Sequence, residues 1–256
     1  MATYVIGDVH GCGRQLGEML SLLSPGTGDE VWLLGDLCDR GPDSAKLLKW
    51  AADGPSGFRF LLGNHEDMAL EILARDPREM GMRMNDPWSF NGGDETAEDL
   101  YENSDPDWRE NVLVPWLREL PPFANVPVGN RTVTLVHAGF APAAWDRSAK
   151  RGFPDGVWGQ NNHTATKRVG NGWGLQHEQD MLWIREDWLL YRGELPNEVV
   201  FGHTPTLLLD NGPRETTRIW HDRIRHDIDC GCAYGGKLAA MRLDDMEEFY
   251  VPGLDV

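Results

Sequence analysis

Five short turns in this chain carry residues whose types and spacing could do chemistry. They read Gly7-Asp8-Val9-His10-Gly11, Gly35-Asp36-Leu37-Cys38-Asp39-Arg40-Gly41, Gly63-Asn64-His65-Glu66, His137-Ala138-Gly139 and Gly202-His203-Thr204-Pro205. Asp8, His10, Asp36, Asn64, His137 and His203 offer oxygen and imidazole donors without a thiolate, a set that suits catalytic Mn²⁺, Fe²⁺/³⁺ or Zn²⁺. The second turn adds Asp39 and Arg40, so two carboxylates and a guanidinium share one bend. Taken alone, that bend equally fits a salt-bridged helix start with an N-cap or a single Arg partner. What separates the two readings is recurrence, because each of the five turns follows an apolar run.

Those apolar runs are the elements that must position the turns. Ala2–Ile6 reads as a first strand, and Gln15-Leu16, Met19-Leu20 and Leu22-Leu23 have helical spacing up to Pro25-Gly26. Val31–Leu34 is apolar without alternation, as in a parallel strand covered on both faces. Glycines at 35 and 41 permit the sharp turn, and Pro42 before Asp43-Ser44 suits the start of a helix carrying Leu47, Leu48 and Trp50. Phe58–Leu62 and a helix through Met68, Leu70, Ile72 and Leu73 make a third β-turn-α unit. Open α/β sheets carry their sites at such strand ends.

From about 76 to 125 the pattern loosens, and prolines punctuate acidic, helical pieces that include Trp88, Trp108 and Trp116. This region is expected to be a cap or insert within a single domain spanning 1–256, with Asn91-Gly92-Gly93 a plain turn in it and an approach of that turn to the site as the alternative. Arg131–Val136 predicts the strand before His137, and residues 145–180 predict loops over a mouth, where His163 and His177 are surface or packing histidines. Asp180–Ile184 leads to Arg185, and Asn197–Phe201 predicts the strand before His203. Residues 216–251 alternate well enough to form strands of a second, antiparallel or mixed sheet.

At 256 residues the chain can bury a large core, and 24 Lys and Arg against 41 Asp and Glu give a net charge of −17. That balance argues against nucleic-acid or anionic-membrane partners, which need basic patches. It does not argue against a small anionic substrate, because a few buried cations reverse the field locally. The N-terminus lacks the basic start and apolar core of a signal peptide, and no run approaches the ~18 apolar residues of a membrane span. Cysteines at 12, 38, 230 and 232 have no zinc-site spacing, so a reduced, cytoplasmic protein is expected.

In this order, the five turns resemble the motifs of the calcineurin-like metallophosphoesterases, and most closely those of small bacterial and phage PPP-type serine/threonine protein phosphatases. The resemblance runs from residue 7 to residue 204. It implies a four-layer α/β/β/α sandwich of two mixed sheets and two divalent metal ions, with Mn²⁺ foremost and Fe or Zn as alternatives. Asp8, His10 and Asp36 would hold the first ion; Asp36 would bridge to a second held by Asn64, His137 and His203. A metal-bridging hydroxide would attack phosphorus in line. His65 would protonate the leaving oxygen, oriented by Asp39, while Arg40 and Arg185, with Asn64, would bind the phosphate. Glu66 reads as a helix-start carboxylate, favoured near a helix N-terminus. Tyr234 is a rim or packing residue, and Cys230 and Cys232 match no ligand position.

The implied activity is phosphomonoester hydrolysis, foremost on protein phosphoserine or phosphothreonine, with a phosphoprotein or small phosphorylated substrate as partner. Symmetrical dinucleoside-tetraphosphate hydrolases are the alternative, resembling the chain at Gly11-Cys12 and His137 to Pro142. They typically carry Ala in place of Asp39 and Asp in place of Glu66, which favours the phosphatase reading. A non-catalytic metal-binding regulatory module is a third reading. It would have lost a ligand or His65, and all are present.

Overall fold

The computed structural model describes residues 1–74, 86–142, 166–169, 174–209 and 212–255. His163 and most of the 145–180 region expected to be loops lie outside the described residues. Within that region a hairpin, β6 (Thr166–Val169) and β7 (Gly174–His177), replaces the expected continuous loop. The His177 ring accepts from the Gln179 N–H at 3.3 Å and so caps the following helix, a packing role.

Two five-stranded sheets carry the chain. In the first, β1 (Thr3–Ile6), β2 (Glu30–Leu33) and β3 (Phe58–Phe60) run parallel. They are joined by α1 (Gly13–Leu23) and α2 (Ser44–Ala52), and α3 (Asn64–Leu73) follows β3. The second has the order β4-β5-β8-β10-β9, built from β4 (Phe123–Val128), β5 (Arg131–Val136), β8 (Glu198–Phe201), β9 (Trp220–Asp222) and β10 (Arg225–Asp227). β11 (Lys237–Arg242) and β12 (Glu247–Pro252) complete the first sheet, with β11 antiparallel to β1 in the register Tyr4↔Arg242. This corrects the expectation for 216–251: only β9 and β10 join the second sheet. The parallel β1–β2 pair leaves one edge of β1 open, and β11 satisfies it.

The alternation of side chains along each strand builds the layers. Val5 and Leu34 point between the sheets, where they meet Val133, Leu135, Val200, Ile228 and Met241. Tyr4, Ile6, Val31 and Leu33 point outward and are covered by Leu16, Met19 and Leu23 of α1 and by Leu47 of α2. On the far side Val136, Val199 and Phe201 are covered by Met181 and Trp188, from α7 (Glu178–Trp183) and α8 (Glu186–Leu189). The result is the expected helix–sheet–sheet–helix order.

The described part of the expected insert, from residue 86 onward, includes α4 (Asp94–Asn103), α5 (Pro106–Trp108) and α6 (Val114–Glu119). Trp88, Leu100, Leu113 and Leu117 pack there on Leu48 of α2 and Met68 and Leu70 of α3. Its far boundary is earlier than expected, because β4 begins at Phe123. Pro127 is tolerated within that strand because β4 is an edge. Among the described residues, no helix is long and apolar enough to cross a membrane.

Candidate active site

The parallel strands β1, β2 and β3 of one sheet and β5, β8 and β10 of the other end on a common rim, and the five polar turns meet there. The backbone is strained where they meet. Among the described residues, eight other than glycine have positive φ, and five of them are His10, Asp36, Asp39, Arg40 and His203, at 46°, 50°, 72°, 72° and 69°. Each costs about 1–3 kcal/mol, which points to a functional constraint on the turns. The glycines flanking them are required by close approach. A Cβ at Gly63 would fall 2.3 Å from the Asp36 carboxylate, and one at Gly202 would fall 2.1 Å from Asp8 Oδ1.

Asp36 sits at the centre. His10 Nε2 is 3.4 Å from its Oδ2, His137 Nε2 is 3.4 Å from its Oδ1, and the His65 backbone N–H donates to Oδ1 at 3.1 Å. It belongs to two groups of converging donors, one with His10 and His65 and one with His137 and His203. Asp8 is buried beside them and accepts from the His203 backbone N–H at 3.1 Å. All six expected ligands are therefore brought together.

The hydrogen bonds of the imidazoles suit this cluster to a cation. His10 Nδ1–H donates to the Cys38 carbonyl at 2.9 Å, and His137 Nδ1–H donates to the Leu34 carbonyl at 2.9 Å. Each ring is thereby left with its Nε2 lone pair facing Asp36. His137 Nε2 further faces Asn64 Oδ1 at 2.8 Å and His203 Nδ1 at 3.2 Å, and the last two lie 2.9 Å apart. Asn64 Oδ1 and His137 Nε2 both present lone pairs here, and a cation among them would remove their repulsion. The titration directions agree. Burial, then Asp229, Asp36 and Asp227, push Asp8 well above the carboxylate range, while burial drives His10, His137 and His203 down. For Asp36 burial acts upward but is outweighed by His137, His65 and His10, and its carboxyl lies below the usual range. Burial thus keeps the three imidazoles neutral with their lone pairs available, and a cation would offset the burial penalty on the Asp8 carboxylate, so these residues could hold divalent cations.

His65 is held from behind. Its Nδ1 lies 2.6 Å from Asp39 Oδ2, and the same oxygen accepts from the Trp88 indole N–H at 2.8 Å. Burial lowers the affinity of His65 for its proton, but Asp36 and the Asp39 hydrogen bond outweigh burial and raise its pKa. His65 Nε2 accepts from Arg40 in this geometry, and with that guanidinium turned to a phosphate His65 can carry a proton toward the rim. Trp88 was not singled out as a site residue. Trp88→Phe should remove one hydrogen bond to a buried carboxylate, worth about 1.5–3 kcal/mol. The expected result is a kcat about tenfold lower on esters with poor leaving groups, with metal content unchanged by elemental analysis.

Arg40 donates to His10 Nε2, reaches His65 Nε2 at 2.9 Å and lies 5.2 Å from the Tyr234 ring centroid. Gly92 lies against it, so Asn91-Gly92-Gly93 touches the site instead of forming only a plain turn. Arg185 is exposed and donates to the His203 carbonyl at 3.0 Å and to Thr204 Oγ1 at 3.1 Å. Both guanidiniums thus border the donor cluster.

Glu66 does more than start a helix. Its carboxylate accepts from the backbone N–H groups of Asp36 at 2.7 Å, Leu37 at 2.8 Å and Gly63 at 3.1 Å, tying the second turn to the third. Burial, then Asp36, push its carboxyl up to about 7. Glu66→Gln puts an amide N–H against these donors and should cost about 2–3 kcal/mol. A lower urea midpoint at unchanged slope would report it.

Asp227 and Asp229, at the end of β10, were also missed. Both are buried beside Asp8, and burial, then Asp229, raise Asp227 while burial raises Asp229 to about 6. Cys230 and Cys232 are buried and form no disulfide, and among the described residues neither joins a group of converging metal donors.

Comparison with known proteins accords with this geometry. The chain is 29% identical to the symmetrical bis(5'-nucleosyl)-tetraphosphatase of Legionella pneumophila strain Lens, covering 100% of the chain and 99% of that protein. It is 26% identical to the protein of the same name from Proteus mirabilis, covering 99% and 98%. Among solved structures, a protein serine/threonine phosphatase from Saccharomyces cerevisiae superposes with a TM-score of 0.56 at 15% identity, covering 100% of this chain and 80% of that one, a likeness of fold. Residues 1–241 match the pattern of the calcineurin-like phosphoesterases. With strand-end turns that gather carboxylate, amide and imidazole donors for divalent metal, this hydrolase belongs to the calcineurin-like phosphoesterase family.

Proposed function

We propose that the chain hydrolyses dinucleoside tetraphosphates at the central phosphoanhydride, releasing two nucleoside diphosphates. The observation that carries this reading is the extent of the likeness to tetraphosphatases, 26–29% identity over essentially the whole of both chains. It reverses the substrate order that Asp39 suggested, because the protein phosphatase resembles the chain in fold alone.

Asp8, His10 and Asp36 would hold one divalent ion, and Asp36, Asn64, His137 and His203 a second. When bound, such a pair supplies a water of lowered pKa and stabilises charge on the phosphoryl oxygens. The protein groups do the rest. Arg40 and Arg185 present planar guanidiniums that suit two phosphoryl oxygens at once. His65, with Asp39 fixing Nδ1–H, delivers the Nε2 proton to the leaving oxygen as the P–O bond breaks. The acidic chain tolerates a polyanionic substrate because these cations lie at the rim.

The intact Asp39–His65 pair favours a second reading, monoester hydrolysis, where an alkoxide leaving group needs a proton more than a diphosphate does. Comparing kcat/KM on a dinucleoside tetraphosphate with that on a phosphoserine peptide separates the two. A higher value for the tetraphosphate, with nucleoside diphosphate as the sole nucleotide product, is expected. A higher value for the peptide would reverse the assignment.

A further inference from the structure

Away from this rim, the edges of the two sheets meet at another cluster of imidazoles and carboxylates. His221 on β9 and His226 on β10 are cross-strand partners, and their Nδ1 atoms lie 2.7 Å apart. The other nitrogen of each ring is engaged. His221 Nε2 lies 2.7 Å from Glu248 Oε1, on β12 of the first sheet, and His226 Nε2 lies 2.9 Å from Glu198 Oε1, on β8 of the second. Both carboxylates are themselves fixed, Glu248 by the Tyr250 hydroxyl and Glu198 by an ion pair with Arg131.

An imidazole that donates through Nε2 to a carboxylate carries a lone pair on Nδ1 when neutral. The two Nδ1 atoms face each other here, and with both rings donating through Nε2 and neutral each would present a lone pair. Burial, then His221 and Arg131, push His226 down to about 4 against the pull of Glu248, so that ring is neutral at pH 7. Two lone pairs at this distance repel, and either a shared proton or a cation bound to one side of the pair by both nitrogens removes the repulsion. Carboxylates behind the distal nitrogens are also what metal-binding histidines use to fix their tautomer and raise their basicity.

The separation indicates which cation. Two metal–nitrogen bonds of ~2.0 Å subtend about 2.8 Å at the right angle of a tetragonal ion and about 3.3 Å at a tetrahedral angle. The observed distance is nearer the first. His226 is buried, with 8% of its side chain exposed, whereas His221 at 43% opens to solvent, which leaves room for water on the remaining positions.

We propose that His221 and His226 chelate, through their Nδ1 atoms, one divalent transition-metal ion of the tetragonal, imidazole-preferring class, Cu²⁺ or Ni²⁺. This site is separate from the phosphate-binding rim and lies on the second sheet, linked to the edge of the first through the Glu248 contact to His221. It stands whether or not the proposed substrate is correct.

Cu²⁺ is the probe. The full chain, saturated with EPR-silent Zn²⁺, is titrated with Cu²⁺ and followed by EPR. The expected signal is a tetragonal one, saturating at one equivalent, with splitting from two nitrogens. His221→Asn and His226→Asn should each lose it and bind that equivalent at least about tenfold more weakly, while phosphate-ester hydrolysis is retained. His221 is at an exposed edge, so His221→Asn decides the matter if the buried His226 variant does not fold. An unchanged signal in His221→Asn, or no two-nitrogen signal in the unaltered chain, overturns the site and leaves the pair sharing a proton.

Discussion

Asp36→Asn should weaken both metal ions together and lower turnover by about 10²–10³-fold. The substitution keeps shape and removes one charge. Its effect is large because Asp36 is within 3.4 Å of an imidazole on each side, His10 on one oxygen and His137 on the other. Two cations sharing one carboxylate both lose it. Elemental analysis after equilibrium dialysis checks the prediction, and retention of one tightly held ion would remove the bridging role. The Glu66 contacts to the Asp36 and Leu37 N–H groups do not depend on the altered side chain, so the turn should persist and the loss should be chemical.

His65→Asn is the second large effect. It should leave metal content intact, because His10 and His137 are oriented by the carbonyls of Cys38 and Leu34 and not by His65. Loss of a general acid costs about 10²–10⁴-fold when the leaving group is an alkoxide and less when it is a good one. Hydrolysis of a phosphoserine peptide should therefore fall much further than that of p-nitrophenyl phosphate, with the tetraphosphate between them. Equal losses across the series would assign His65 to positioning alone. Asp39→Asn should follow the same leaving-group order at smaller amplitude, since it acts only through the imidazole.

Why some of this was legible in the chain, and some not, follows from how the elements are built. Parallel strands covered on both faces are uninterrupted apolar runs, so Val5-Ile6, Val31–Leu34 and Val199–Phe201 announce themselves, and the glycines after them mark the turns. The six residues expected as ligands were legible as strand-end polar groups for that reason. β10 hides the next strand end, because Arg225-His226-Asp227 contains no apolar residue, and Asp227 and Asp229 went unnoticed with it. The sheet that β11 and β12 join was equally hidden. Period-two patterning reports a half-buried strand and not its partner, and the open edge of β1 decides the pairing. Trp88 reaches Asp39 across 49 residues of sequence, a contact no local pattern encodes. Glu66 was placed correctly at a helix start, but its oxygens turn back to the preceding turn's N–H groups, a tertiary preference that local capping rules miss.

Asp36, Asn64, His137 and His203 converge where a divalent metal would drive phosphate hydrolysis. The most direct measurement is nucleoside diphosphate release from a dinucleoside tetraphosphate by protein stripped with EDTA and then titrated with Mn²⁺. The expected result is no release after stripping and recovery that saturates at two equivalents, with Asp36→Asn failing to recover. Release that survives full removal of metal, or saturates without any dependence on Mn²⁺, would contradict it.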